Sequence, residues 1–404
     1  MSFQQGLSGL NASARNLDVI GNNVANANTV GFKASSVHFA DVYANSLGGG
    51  GAVGIGTTVA AIVQGFQQGN VTATSNPLDL AINGEGFFRL SNNGTVTWTR
   101  NGQFQLDKDG FIVTTQGARV TGYPVGPGGQ VVASTPADLQ LSRADIAPAA
   151  TTAANVNVNL DSRKAPITAA FNQNDPATYH HATSQTVYDS LGNAHTLTMY
   201  FTKTAANTWA VRAANDGAMI GAGPVGTLRF GTGGAIDTAA TTLPFAISTA
   251  VTTGAATPLA FDLDLSGSTQ FGSAFGVNDL TQDGYASGRL TGFSVAADGT
   301  VQGRYSNGQA RAQGQLVLAN FNNPQGLQPL GGNQWAETAG SGQPQVGAPG
   351  SSTLGVLQAG AVEESNVDLT AELVEMITAQ RVYQANAQTI KTQDSVLQTL
   401  VNLR

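Results

Sequence analysis

The sequence predicts a mixed, mainly β fold: two nested antiparallel β domains bracketed by N- and C-terminal amphipathic α-helices that pair as a coiled-coil-like core. Three observations lead there. The 50 Gly and 14 Pro are unevenly spread: the first proline is Pro77, the last is Pro349, and neither breaker follows Gly360. At both ends apolar residues recur at alternating spacings of four and three, the signature of a helical stripe. Between them the chain breaks into short runs rich in Val, Thr, Phe and Leu, separated by Gly, Asn and Asp, which is the texture of antiparallel β structure.

The C-terminal stretch from 361 to 404 can run as one uninterrupted helix, about 57 Å long if it extends from a start near Val367 to Arg404 at about 1.5 Å per residue. Its start is signalled by the capping-box-like Ser365-Asn366-Val367-Asp368. Glu363, Glu364, Asp368, Glu372 and Glu375 come early and Arg381, Lys391 and Arg404 late, the order that complements a helix dipole. The stripe is Leu369, Leu373, Met376, Tyr383, Ala387, Ile390, Leu397 and Val401, interrupted by Gln380 and Asp394. The N-terminal stripe is Phe3, Leu7, Leu10, Ala14, Leu17 and Val24, with Gly21 as its weak position and a second capping-box pattern from Ser2 to Gln5. Such stripes can pack on their own domain, pair within one molecule, or join separate molecules, and pattern alone leaves these open.

One hairpin signature recurs three times: Phe88-x-Leu90-x-x-Asn93-Gly94-x-Val96, Phe104-x-Leu106-x-x-Asp109-Gly110-x-Ile112 and Phe293-x-Val295-x-x-Asp298-Gly299-x-Val301. Asn-Gly and Asp-Gly supply the positive φ that tight hairpins need. Two copies precede the middle of the chain and one follows it. The expected organisation is therefore an N-terminal helix and linker (1–70), a β domain split into 71–145 and 285–358, a β domain inserted at 146–284, and a C-terminal helix (359–404). Gly48-Gly49-Gly50-Gly51 marks a flexible joint. In the insertion, Ser184–Tyr188, Thr196–Phe201 and Trp209–Arg212 read as strands.

Composition excludes several function classes. Charged residues make up 11% of the 404, against about a quarter in ordinary globular proteins. The net charge is −7, and 18 thinly spread basic residues offer no phosphate-binding patch, so no nucleic acid is expected as a partner. No apolar run approaches the length of a membrane span, so no membrane insertion is expected. There is no cysteine, hence no disulfide, thiolate ligand or thiol nucleophile. The start, Met1-Ser2-Phe3-Gln4-Gln5-Gly6-Leu7, lacks the features of a cleaved secretion signal.

No catalytic constellation emerges. The four histidines, His38, His180, His181 and His195, form no ligand pattern, and adjacent residues of a strand face opposite ways. Gly49-x-Gly51-x-x-Gly54 lacks the strand and helix of a dinucleotide fold. Asp262-x-Asp264-x-Ser266-Gly267 opens like a calcium loop but has Ser273 at the twelfth position. No nucleophile elbow or phosphate loop occurs. The expectation is a protein that is not an enzyme and takes no cofactor or metal.

The ends carry more than stripes. Ser8-Gly9-Leu10, followed by Asn16-Leu17-Asp18-Val19-Ile20-Gly21-Asn22-Asn23-Val24-Ala25-Asn26-Ala27-Asn28-Thr29-Val30-Gly31-Phe32-Lys33, resembles the segment shared by subunits of the bacterial flagellar axial rod/hook family. Ser365-Asn366-Val367-Asp368-Leu369 and Gln380-Arg381-Val382-Tyr383-Gln384-Ala385-Asn386-Ala387-Gln388-Thr389-Ile390 resemble its C-terminal counterpart. The motif positions singled out are Asn22, Asn23, Asn26, Asn28, Gly31, Phe32, Lys33, Asn366, Asp368, Gln380, Arg381 and Asn386. In the middle, Gly84-Glu85-Gly86-Phe87-Phe88 and Arg100-Asn101-Gly102-Gln103-Phe104-Gln105-Leu106-Asp107 are similar to both rod and hook subunits. Tyr188-Asp189-Ser190-Leu191-Gly192-Asn193-Ala194-His195, Gly314-Gln315-Leu316-Val317-Leu318-Ala319-Asn320-Phe321 and Leu400-Val401-Asn402-Leu403-Arg404 are similar to hook subunits, as is the presence of an inserted domain. The resemblance spans nearly the whole chain and is weakest at about 205–280.

The resemblance implies a structural subunit that self-assembles into a bendable helical tube, a universal joint carrying motor torque to the filament. Its inner core would be the terminal helices, meeting through Phe3, Leu7, Leu10, Leu17, Val24, Leu369, Leu373, Met376, Tyr383, Ile390, Leu397 and Val401. The split β domain would form a middle layer and the insertion the outside. Implied partners are further copies of the chain, the distal rod protein, the hook cap protein, the hook-filament junction protein and the flagellar type III export apparatus. The implied location is extracellular, at the basal body and hook, reached without a cleaved signal. The helices are expected to be disordered in the monomer and to fold on assembly. Two alternatives stand beside this reading: a distal rod subunit and a cell-surface adhesin.

Overall fold

Asn93 and Gly94 both have positive φ, 51° and 90°, and close a two-residue turn between strands Phe87–Asn92 and Thr95–Thr99, in which Asn92 pairs with Thr95. This is the mirror-image turn whose twist suits a hairpin. The other two copies of the signature make longer loops, in which only the glycine, Gly110 or Gly299, has positive φ. There the carboxylates hold the loop. Asp107 Oδ1 accepts from the N–H groups of Asp109 and Phe111, each at 2.8 Å, and Asp298 Oδ1 accepts from the Thr300 N–H at 3.0 Å. One sequence signature thus yields two turn geometries, set by where the acidic side chain can bond back.

The computed structural model describes residues 2–42, 54, 56–126 and 129–402, with side chains from 3 to 399 within those ranges. The Gly48–Gly51 joint lies outside the described residues. The chain divides into two compact units, unit one (1–142, 292–304 and 310–404) and unit two (143–291 and 305–309).

Unit two packs two sheets around one apolar interior. One sheet is an antiparallel meander of strands His181–Tyr188, Ala194–Ala205 and Thr208–Asn215, with Gly226–Arg229 on its far edge. Its inward residues Leu197, Met199, Phe201, Trp209 and Val211 are fully buried against Val156, Val158, Leu160 and Leu263 of the other sheet. That second sheet departs from the antiparallel expectation. Strand Ala153–Asp161 runs parallel to Leu259–Asp264 and Thr269–Phe271, and antiparallel only to Gly276–Gln282. A parallel pair needs a long crossover, here the whole meander between Asp161 and Leu259, and side-chain alternation is the same for either direction.

Unit one contains a larger sheet whose interior includes Leu80, Ile82, Phe88, Leu90, Ile112, Val120, Leu316 and Leu318. Beside it Phe66, Phe87, Trp98, Phe321 and Trp335 meet edge to face, with centroids 5.2 to 5.8 Å apart. Two short pairs bring the early and late parts of the chain together: Leu80–Asn83 with Val356–Ala359, and Val71–Ala73 with Ala361–Glu363. A separate hairpin pairs Ser35–Val42 with Gly56–Gln64.

Two helices complete unit one, α1 (Ser2–Ala25) and α2 (Leu369–Asn402). α2 starts later than the 359–404 segment and not at Ser365. Its cap is Asp368, whose Oδ1 accepts from the N–H groups of Thr370 (2.9 Å) and Ala371 (3.1 Å). The preceding residues are held elsewhere, since Ala361–Glu363 is a strand and the Asn366 side chain is engaged as described below. At the other end, Gln5 does not turn back to close a capping box; its Nε2 donates to the Gly54 carbonyl at 2.6 Å. Among the described residues no helix is long and apolar enough to cross a membrane.

Candidate functional site: the terminal clasp and helix pair

Where α1 ends, the chain turns into a clasp that joins its own two ends. The Asn26 N–H is shared between the carbonyls of Asn22 and Asn23, and Asn26 Nδ2 donates to Asn22 O at 2.9 Å, satisfying the last turn. Gly31 follows with φ of +71°, and a Cβ there would stand 2.6 Å from the Asn101 nitrogen. The position therefore needs glycine, and its N–H donates to the Glu363 carbonyl at 2.8 Å.

Two residues on, Lys33 is buried with its ammonium inside the protein. Nζ donates to Glu363 Oε1 and to the Gln67 carbonyl, each at 2.7 Å. Glu363 Oε1 also accepts from the Gly69 N–H at 2.9 Å, while Arg100 Nη1 lies 3.5 Å from Glu363 Oε2 and Arg100 Nη2 donates to Gly84 O at 2.9 Å. Burial pushes the Lys33 and Arg100 pKa values down, and the Glu363 charge opposes this. Two cations share one carboxylate with no water-facing side, so loss of that carboxylate would strand both.

Two side-chain amides bind backbone as another strand would. Asn366 Oδ1 accepts from the Ala34 N–H at 2.8 Å and its Nδ2 donates to Gly65 O (2.7 Å) and Gln67 O (3.1 Å). Asn23 Oδ1 accepts from the Ser35 N–H at 2.9 Å, and its Nδ2 donates to Ser35 O (2.8 Å) and to Glu372 Oε1 (2.9 Å) on α2. Burial raises the Glu372 pKa, the Asn23 hydrogen bond opposes the rise, and the Glu375 charge adds to it. Asn23, Gly31, Lys33 and Asn366 thus act in one place, and Asp368 caps α2. Asn22 and Asn26 finish α1. Asn28 is exposed, Phe32 is half-buried, and Gln380 and Arg381 are exposed on α2.

α1 and α2 lie side by side, but they meet through small residues. A Cβ on Gly9 would be 2.8 Å from Asn386 Oδ1, and one on Gly6 would be 3.1 Å from Ile390 Cγ1. Gly6, Ala12, Ser13, Ile20 and Asn23 of α1 and Ala379 of α2 are the buried residues of the two helices. Of the heptad stripe, Ile390 packs here against Gly6, while other members stay open. Phe3, Leu7, Leu369, Leu373 and Leu397 remain 44% to 54% exposed, and Val374, Ile377, Val382 and Val396 are exposed with them. Leu10, Leu17, Val24, Met376, Tyr383 and Ile390 are half-buried, and the Val401 side chain lies outside the described residues. Glycine and alanine let the backbones approach closely at this contact.

Sequence reasoning missed Glu363, Arg100, Gln67 and Glu372 as members of this site. The charge order assigns Glu363 to the dipole of α2, yet it ends a strand and anchors Lys33. Its only sequence signal is the burial-prone setting, Ala361 and Val362 immediately before it.

Four family models match the chain: flagella basal body rod protein over 3–33, flagellar hook protein FlgE/F/G D1 domain over 81–163, flagellar basal body protein FlaE D2 domain over 159–285, and flagellar basal body rod FlgEFG protein C-terminal over 358–403. Clasped termini bracketing β units, matched by these models at both ends and over 81–285, define the class as the flagellar rod and hook proteins. The chain is 44% identical over 414 residues to flagellar hook protein FlgE of Salmonella typhimurium, covering 100% of both, and 44% identical over 416 residues to that of Escherichia coli, again covering 100% of both. It is 34% identical to flagellar hook protein FlgE of Rhizobium meliloti, covering 100% of this chain and 98% of the relative. The chain belongs to the flagellar hook protein family and is a structural subunit of the bacterial flagellar hook. A crystal structure of Helicobacter pylori flagellar hook protein FlgE2 shares the fold, with a TM-score of 0.54, 14% identity, and coverage of 72% of this chain and 100% of that one.

Proposed function

We propose that the chain polymerises into a bendable helical tube, with α1 and α2 in the inner wall and unit two exposed on the outside. The observation that carries this reading is the row of exposed Phe3, Leu7, Leu369, Leu373 and Leu397 on helices whose mutual contact does not use them. Exposed apolar side chains grouped in this way mark a surface for other chains to cover. Each leucine moved from a half-exposed position to a buried one contributes on the order of 1 kcal/mol.

Torque transmission through a bending tube requires contacts that are fixed inside and exchangeable outside. A chain with only 11% charged residues suits the second demand. Amide and hydroxyl bonds worth about 1 kcal/mol each trade with water at little cost, whereas fixed ion pairs would impose one register. The partners are then copies of the chain along the tube, the distal rod protein below, the hook cap protein during growth and the hook-filament junction protein above. Delivery is through the flagellar type III export apparatus to the cell exterior, without cleavage of α1.

The absence of native cysteine gives a clean test. Gly233 is exposed and lacks a positive φ, and a Cβ added there would meet nothing within 4 Å. The Gly233→Cys chain, labelled on intact cells with an impermeant maleimide dye, should give short fluorescent spots at filament bases. Diffuse surface label would favour an adhesin, and no label a rod position or a covered site; either result overturns the outermost placement of unit two.

A further inference from the structure

The turn Asp189–Asn193 joins strands His181–Tyr188 and Ala194–Ala205 of unit two. Asp189 is fully buried at its start. Its Oδ1 accepts from the N–H groups of Leu191 and Asn193, each at 2.9 Å, and its Oδ2 accepts from Asn193 Nδ2 at 2.9 Å and the Thr253 hydroxyl at 2.6 Å. His195, 5% exposed, stands just beyond the turn. Its Nε2 is 3.3 Å from Asp189 Oδ2 and its Nδ1 is 2.6 Å from Asp216 Oδ2. Asp216 belongs to a different turn, after strand Thr208–Asn215, and its Oδ1 is held by the Thr196 N–H at 2.8 Å.

Both ring nitrogens therefore face carboxylate oxygens. A neutral imidazole has one N–H and one bare lone pair, so either tautomer would set a lone pair against a carboxylate. Only the imidazolium donates on both sides. The charged groups that act on the ring are these two carboxylates. Burial opposes the charge, but the hydrogen bonds and charges of Asp216 and Asp189 outweigh it and raise the His195 pKa above its ordinary value.

The turn sits on the two segments through which the chain enters and leaves unit two. A Cβ on Gly192 would stand 2.7 Å from Pro148 Cβ and 3.1 Å from Ala286 Cα. Residues 146–149 and 285–288 are bridged at Ile146 with Gly288 and at Ala149 with Tyr285. Tyr188 exchanges two hydrogen bonds with Thr151, each at 2.9 Å.

We propose that protonated His195 is a clip that ties the turns at Asp189 and Asp216 together, and that its deprotonation loosens the Asp189–Asn193 turn on the entry and exit segments of unit two. The proton passes to solvent, Nδ1 or Nε2 loses its donor, and one carboxylate contact becomes repulsive. Because the folded-state pKa is raised, the stabilisation is full below the unfolded value and is lost as pH rises through the folded one. The base of unit two is thus stiffer in acid than in alkali.

The test uses the full chain with nitrogen-15 histidine. Ring-nitrogen spectra between pH 5.5 and 9, with the His195 signals assigned by their absence from His195→Gln, should show both nitrogens protonated at neutral pH. Intrinsic-rate-corrected exchange of the Leu191, Gly192 and Asn193 amides should accelerate as the ring titrates. A single neutral tautomer at pH 7, or protection unchanged across the titration, overturns the clip. Should His195→Gln fail to fold, Asp216→Asn retains an acceptor for Thr196. It should lower the His195 midpoint, and an unchanged midpoint contradicts the proposal.

Discussion

In unit two, Leu197, Met199, Phe201 and Val211 are wholly buried between two sheets, whereas Leu7, Leu373 and Leu397 on the terminal helices stay 44% to 54% exposed. The same residue type is spent on closing a fold in one region and left uncovered in the other. The difference separates what a single chain can complete from what only an assembly can. Unit two needs no partner to bury its interior. The helices are anchored to unit one by a polar clasp of Asn23, Lys33, Glu363 and Asn366, and present their apolar row outward. On the proposed reading, anchoring and assembly are carried by different side chains, so that each can be removed without the other.

The largest effect should come from the exposed row. Leu373→Asp places a charge where a neighbouring chain is to pack, and polymer yield, measured by sedimentation and electron microscopy, should fall to background. Its effect on the monomer's melting should stay within about 0.5 kcal/mol, as for other surface changes. Normal polymers from this variant would erase the distinction between the two regions.

A smaller but local loss should follow from Glu363→Gln, which strands Lys33 and Arg100 without their carboxylate. Breaking a buried pair from one side costs about 3–5 kcal/mol. Hydrogen exchange should show the loss around residues 31–34, 65–69 and 361–372, with the strands of unit two as protected as before. A variant that melts and exchanges like the parent would mean that the clasp is ornamental.

Much of this architecture was legible in the sequence because its signals are local. Asn93-Gly94 names its own turn, and the strands around Leu197, Trp209 and Val187 announce themselves by alternation and β-branching. The absence of Gly and Pro after Gly360 marks the region that holds α2. The stripe on α1 and α2 was equally visible, but which surface it faces was not, because Gly6, Gly9 and Ala12, which make the intramolecular contact, look like gaps in a pattern and not like an interface. The clasp was illegible for a different reason. Lys33 and Glu363 are separated by 330 positions, and no periodicity links them. The parallel pairing of Ala153–Asp161 was hidden because alternation fixes which face is buried but not strand direction.

Hydrogen exchange of residues 2–25 and 369–402, compared between the monomer and the assembled polymer of the same chain, tests the central claim most directly. The predicted result is that both helices exchange more slowly in the polymer than in the monomer, while the strands of unit two are protected equally in both. Helices already strongly protected in the monomer and unchanged on assembly would contradict the account.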